Sequence, residues 1–188
     1  MPKIDRLAVV ALSLSLLLLA GCAPGGPGRP APIPERSGAE RAVDSDVATV
    51  VAKRIGALDA KAFRAVAVKA MGGRVLLTGA VIKPGQRRQV EQEAAKVDGV
   101  TRVHNEVVLV GESWLDRFLP DAERERALAA RLSAEAEVTA ANYDIRVVNG
   151  VAYLLGRAGS AGELERAKAA LVEDSAVKWV VDSAVVLP

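Results

Sequence analysis

The sequence is poor in the residues on which most site chemistry depends. It has one cysteine, one histidine and two each of tryptophan, tyrosine and phenylalanine in 188 residues. A lone cysteine excludes an internal disulfide and a Cys-x-x-Cys redox pair, and a lone histidine beside it excludes a multi-cysteine zinc site. His104 therefore reads as a strand residue on the less covered face of a sheet. Neither sign of charge dominates: 25 basic against 23 acidic residues leave a net charge of +2, so the chain lacks a nucleic-acid footprint. The six aromatics are not paired among basic residues as in sheets that stack RNA bases. No serine sits in a nucleophile elbow, and no Gly-Lys-Ser/Thr follows a glycine-rich turn. Glu91 and Glu93, like Glu163 and Glu165, lie two apart and do not face each other on a helix. These absences point to a protein that is not an enzyme, with no cofactor, no metal and no nucleic-acid partner.

What is present is alanine (34 residues) and valine, within a hydrophobic fraction of 51%. The longest apolar run, residues 7–20, is interrupted only by serine. It is shorter than the roughly 20 residues that a spanning helix needs and follows Lys3, Asp5 and Arg6, as in a secretory signal. It ends at Leu19-Ala20-Gly21-Cys22, which has the form of a bacterial lipobox. Residues 1–21 are thus expected to be a lipoprotein signal peptide, with Cys22 as the lipidation site. The competing reading is an ordinary cleaved signal with a chance cysteine. Ala23 rather than aspartate at the next position resembles outer-membrane sorting, with the protein lipid-anchored on the periplasmic side. Residues 22–43 hold Pro24, Pro27, Pro30, Pro32 and Pro34 among many glycines and read as a solvated tether.

The remainder is a duplication. Residues 44–110 moved forward by 77 positions meet 121–187 without a gap, with 11 of 67 positions identical. Gly73 and Gly79 fall on Gly150 and Gly156, Leu77 on Leu154, and Val100, Val103 and Val108 on Val177, Val180 and Val185. Two small domains, 44–110 and 121–188, are joined by a linker, 111–120. Each reads as helix, strand, strand, helix, strand. Asp44 and Asp121 are the expected N-caps, and Val47, Val50, Val51, Ile55 and Leu58 form the first helix's stripe. Gly72-Gly73 and Asn149-Gly150 suit type I′ hairpin turns. The fold class is α+β: two tandem αββαβ units, each a three-stranded mixed sheet with two helices on one face.

The order of elements, Gly73-Arg74-Val75-Leu76-Leu77-Thr78-Gly79 in the hairpin and Gly99-Val100-Thr101-Arg102-Val103-His104-Asn105 opening the last strand, resembles the BON domain. The second copy departs at Ala176 and Asp182. With the lipobox, the chain resembles the dual-BON outer-membrane lipoproteins (DolP-like). The resemblance implies binding of anionic phospholipid and support of outer-membrane integrity. It also implies lipid contact through aromatics in the first helix of the second domain, where residues 122–137 have none.

Two further features bear on partners. In the linker, Trp114, Leu115, Phe118 and Leu119 fall on one face of a short helical turn, either a staple between the domains or an interfacial anchor. As an anchor it would place Arg117, Arg124, Arg126 and Arg131 near anionic headgroups. The second feature is the side of each sheet away from the helices. In the first copy Arg74, Leu76, Thr78, Arg102, His104 and Glu106 make a mostly polar face suited to water. In the second copy Val151, Tyr153, Leu155, Trp179, Val181 and Ser183 make an apolar one, which is expected to be covered. A helix of the first domain is the expected cover, ahead of another protein or the bilayer. The leading function is a membrane- or phospholipid-binding envelope lipoprotein. The alternative is a protein-interaction adaptor on an envelope assembly or secretion complex.

Overall fold

The computed structural model describes residues 33–188. The signal-peptide and Cys22 expectations lie outside them, as does the first half of the expected tether, residues 22–32. The first unit comprises α1 (Gly38–Leu58), β1 (Val66–Met71), β2 (Arg74–Val81), α2 (Pro84–Ala95), β3 (Arg102–Asn105) and β4 (Val108–Leu109). The second comprises α3 (Ala122–Ala134), β5 (Tyr143–Val148), β6 (Val151–Ala158), α4 (Ala161–Val172), β7 (Trp179–Asp182) and β8 (Val185–Val186). In each, the hairpin is antiparallel and the last strand returns parallel to the middle one. The expected αββαβ order and mixed sheets are therefore present.

The hairpin turns carry positive φ at both central residues: 55° and 77° at Gly72-Gly73, 49° and 79° at Asn149-Gly150. That is the type I′ geometry, and its twist matches the strands it joins. Each last strand is broken in two by an Asx-type turn. The Asn105 side-chain oxygen accepts from the Val107 N–H, and Asp182 accepts from the Ala184 N–H. The replacement of asparagine by aspartate in the second copy thus keeps the acceptor that makes the break.

Two cores lie between helices and sheets. Val51 and Ile55 of α1 and Val90 and Ala94 of α2 pack on Val75, Leu77 and Val81. Leu128 and Leu132 of α3 and Leu164, Ala167 and Leu171 of α4 pack on Ile145, Val147, Ala152 and Leu154. Along α1, Val50 and Leu58 are exposed and only Val51 and Ile55 are fully buried, so its buried stripe is narrower than the sequence suggests.

A third core joins the two units. Met71 and Leu76, on the side of the first sheet away from its helices, meet Val148, Val151, Tyr153 and Leu155 on the corresponding side of the second. The layers therefore run helices, sheet, sheet, helices. This overturns two expectations. The face of the first sheet is not a water-facing surface: Leu76 and Thr78 are each 1% exposed. The apolar face of the second sheet is covered as expected, by a sheet rather than by a helix. The physical reason is reciprocal: two one-sided sheets bury most apolar area by facing each other. Two charged residues at the seam find partners across it, whereas the buried Thr78 hydroxyl has none among the described residues. Lys69 Nζ donates to Asp144 at 2.7 Å, and Arg74 donates to the carbonyls of Gly156 and Ser183 at 2.6 and 2.8 Å.

The end of the expected tether, residues 38–43, is helical. α1 begins at Gly38, capped by Ser37 with a reciprocal Glu40 bond, and so includes residues 38–43. Asp44 is inside the helix rather than at its N-cap. It is buried, pairs with Arg36 and accepts the Gly72 N–H.

Candidate functional site

The linker turn is the first candidate surface. Glu112–Phe118 forms a 3₁₀ helix, whose period of three pairs residues differently from an α-turn. Leu115 and Phe118 turn inward, against Ala65 and Ala80 at the end of the first sheet. Trp114 and Arg117 turn outward together, with the guanidinium 4.3 Å from the centre of the indole ring. Trp114 is 53% exposed and Leu119 is exposed as well. The expected single apolar face is therefore divided: one half is the staple, the other an exposed cation–π pair. Asp116 holds the turn down through Arg64 at 2.9 Å.

The arginines expected beside this turn do not act together. Arg124 is bonded to Asp174 through both carboxylate oxygens, at 3.1 and 3.0 Å, and Arg131 pairs with Glu173. These pairs join α3 to the segment after α4. Arg126 is exposed on α3, along a groove of about 990 Å³ between α1 and α3. Arg117 shares an exposed surface with Trp114.

The second candidate surface is the outer side of the second sheet. Val151, Tyr153 and Leu155 are buried in the seam, and Val181 is packed against it. Trp179, at the edge on β7, is 56% exposed, so it is not the anchor of the seam. Edge position explains this: the first sheet covers β5 and β6 and stops short of the β7 indole. His104, in the corresponding strand of the first domain, is partly buried. Burial, followed by the charges of Arg74 and Arg102, lowers its pKa.

A group of residues outside those expected from the sequence ties the lead-in to α1 to the second domain. The Arg36 N–H donates to the Asn142 side-chain oxygen at 2.8 Å, while the Pro34 carbonyl accepts from Asn142 and Arg157. Arg157 also pairs with Glu40 at 3.0 Å. The lead-in to the first domain thus lies on the second sheet, and the linker turn that leads into the second domain lies on the first. Each unit's entry segment crosses to the other. A signal for this was present in Ser37-x-x-Glu40, a capping box that marks a helix start inside the proline-rich stretch.

The BON domain family matches residues 43–111 and 120–188, which together cover more than half of the chain. An uncharacterized protein in the gshII 5′ region of Anaplasma centrale is 37% identical over 103 residues, 54% of this chain and 68% of that protein. Among solved structures, fragments of CdsD, a structural protein of the type III secretion system of Chlamydia trachomatis, align at 14% identity. One gives a TM-score of 0.33 over 73% of this chain and 92% of the fragment. A second, its C-terminal domain, gives 0.32 over 78% and 98%.

Proposed function

The chain belongs to the BON family, with two BON domains in tandem, and from that premise we propose that it is a non-enzymatic, DolP-like lipoprotein of the outer membrane. It is anchored on the periplasmic side through acylated Cys22, binds anionic phospholipid and supports outer-membrane integrity. The family is generally non-enzymatic and related to membranes and the envelope, which sets the coarse class. The observation that carries the finer reading is the exposed Trp114–Arg117 pair. An indole favours the headgroup boundary, and a cation close to an anionic surface contributes about 1 kcal/mol. The inward Leu115 and Phe118 hold that pair on a fixed turn, so lipid contact costs little ordering.

Flotation of residues 23–188, which contain both domains, with liposomes of increasing anionic content tests this. Binding is expected to rise with anionic lipid, weaken with salt and fall in Trp114→Ala/Arg117→Ala. Flotation of that variant equal to the parent refutes the contact. Cys22→Ala is expected to leave an unprocessed precursor or a soluble periplasmic form, and normal membrane fractionation of it refutes the anchor. The adaptor reading takes its support from Trp179, which stays exposed at the edge of a face otherwise covered. A chain that ignores liposomes of every composition would favour it.

A further inference from the structure

The duplication predicts equal surfaces on the two domains, and in one place they differ. α3 starts at Ala122, equivalent to position 45 in the first copy, whereas α1 starts at Gly38. The seven extra residues, 38–44, carry α1 past the β1–β2 hairpin tip towards the second domain. Between them lies a cleft of about 570 Å³ lined by α1 and not by α3. One wall is Ala39, Val43 and Val47, spaced four apart on one side of α1. The opposite wall is Val185 and Leu187 at the end of the second domain, and Met71 lies at the hairpin. Val43 is 62% exposed, a large apolar side chain left open at the mouth.

The charges in this cleft do not cancel. Three arginines line it, Arg36, Arg74 and Arg157, against two carboxylates, Asp44 and Glu40. Arg36 pairs with Asp44 and Arg157 with Glu40. Arg74 has no carboxylate within ion-pairing distance among the described residues. Two of its five N–H donors go to neutral carbonyls. Burial, then the charge of Arg102, push its pKa down, and the more distant carboxylates of Asp44 and Asp182 only partly oppose this. A half-buried cation of this kind gains from an anion that brings its own apolar cover.

We propose that this cleft binds a single-chain anionic amphiphile, with its acyl chain along Ala39, Val43 and Val47 and its carboxylate or phosphate head at Arg74. A volume of several hundred Å³ suits one chain and its head. The site deepens the membrane reading but is separate from the Trp114–Arg117 surface, so the two can fail independently.

The test is calorimetric titration of residues 23–188 with laurate below its critical micelle concentration. Dodecyltrimethylammonium serves as the chain with the opposite charge, and acetate as the head alone. Laurate should bind one to one, at least about tenfold more tightly than the cationic amphiphile, and acetate should not saturate. Val43→Glu and Ala39→Glu, both at exposed positions, should each weaken laurate by about tenfold or more while the fold is retained. Val50→Glu, exposed on the same helix outside the cleft, should not change it. The proposal is overturned by the absence of saturable laurate binding, by equal binding of the two amphiphiles, by binding of acetate alone, or by unchanged affinity in the two cleft variants. Laurate binding that survives in Trp114→Ala/Arg117→Ala with flotation equal to the parent would support the cleft alone, and with flotation lost would support both sites. Flotation that persists in Val43→Glu with laurate binding lost would support both sites.

Discussion

Leu76 and Leu77 are neighbours on β2 that point to opposite sides of one sheet. Leu77 lies in the first domain's own core, and Leu76 in the seam between domains. Both are almost fully inaccessible, at 0% and 1%. Truncation of a buried leucine to alanine removes its transfer free energy and leaves a cavity, and costs roughly 2–5 kcal/mol. If the two sheets pack in solution as described, Leu76→Ala should therefore cost about as much as Leu77→Ala. If the domains were independent, Leu76 would lie on a solvated face and its truncation would cost within about 0.5 kcal/mol. For a chain of this size each kcal/mol moves the melting temperature by about 2–4 °C. A cost of about 3 kcal/mol thus predicts a fall of roughly 6–12 °C for either variant. Differential scanning calorimetry reads it, with Val108→Ala on the exposed edge as the reference substitution. A fall of less than about 2 °C for Leu76→Ala, beside a full effect for Leu77→Ala, would refute the sheet-to-sheet seam.

Gly79→Ala should destabilise the first domain severely, because a Cβ there would lie 1.7 Å from the Ala65 carbonyl oxygen and φ is +99°. Gly72→Ala, with a positive φ but open space, should cost only about 1 kcal/mol, and urea denaturation of the pair separates clash from conformation. Asp44→Ala leaves the buried Arg36 cation and the Gly72 N–H without their acceptor and should cost about 3 kcal/mol, measured by the same denaturation. The lowered pKa of His104 means that the unfolded chain takes up its proton first as pH falls. Stability should therefore decline as pH drops below about 6.5 and through the folded value, and His104→Gln should flatten that slope in thermal melts at pH 5 to 7.

The parts legible in the sequence were those set by local chemistry. Gly72-Gly73 and Asn149-Gly150 admit few backbone conformations, and they form the hairpins expected of them. The alternation of Val75 and Leu77, repeated in Ala152 and Leu154, marks the sides that meet the helices. The first sheet's other side is not legible in this way, because Leu76 sits between Arg74 and Thr78. Residue type alone does not reveal that Arg74 reaches across to carbonyls while Leu76 and Thr78 are sealed. The linker face was misjudged by period: four-residue spacing groups Trp114 with Phe118, whereas a 3₁₀ turn groups it with Arg117. The start of α1 was obscured by the prolines around it, although Ser37 and Glu40 carry the signal for a cap. The cleft depends on where α1 begins relative to a second domain more than a hundred residues away, and no local pattern encodes that distance.

The crossing of the entry segments has a mechanical consequence. The N-terminal segment belongs to the first domain by sequence, yet its last hold before the helix is on Asn142 and Arg157 of the second. A pull on the N-terminus, as on a protein held at a surface by that end, is delivered to both domains at once. The load passes through the Pro34 carbonyl and the Arg36 N–H into the second sheet, and through α1 into the first. Tension along the chain is therefore shared by the hydrogen bonds to the second domain and the packing of α1 on the first.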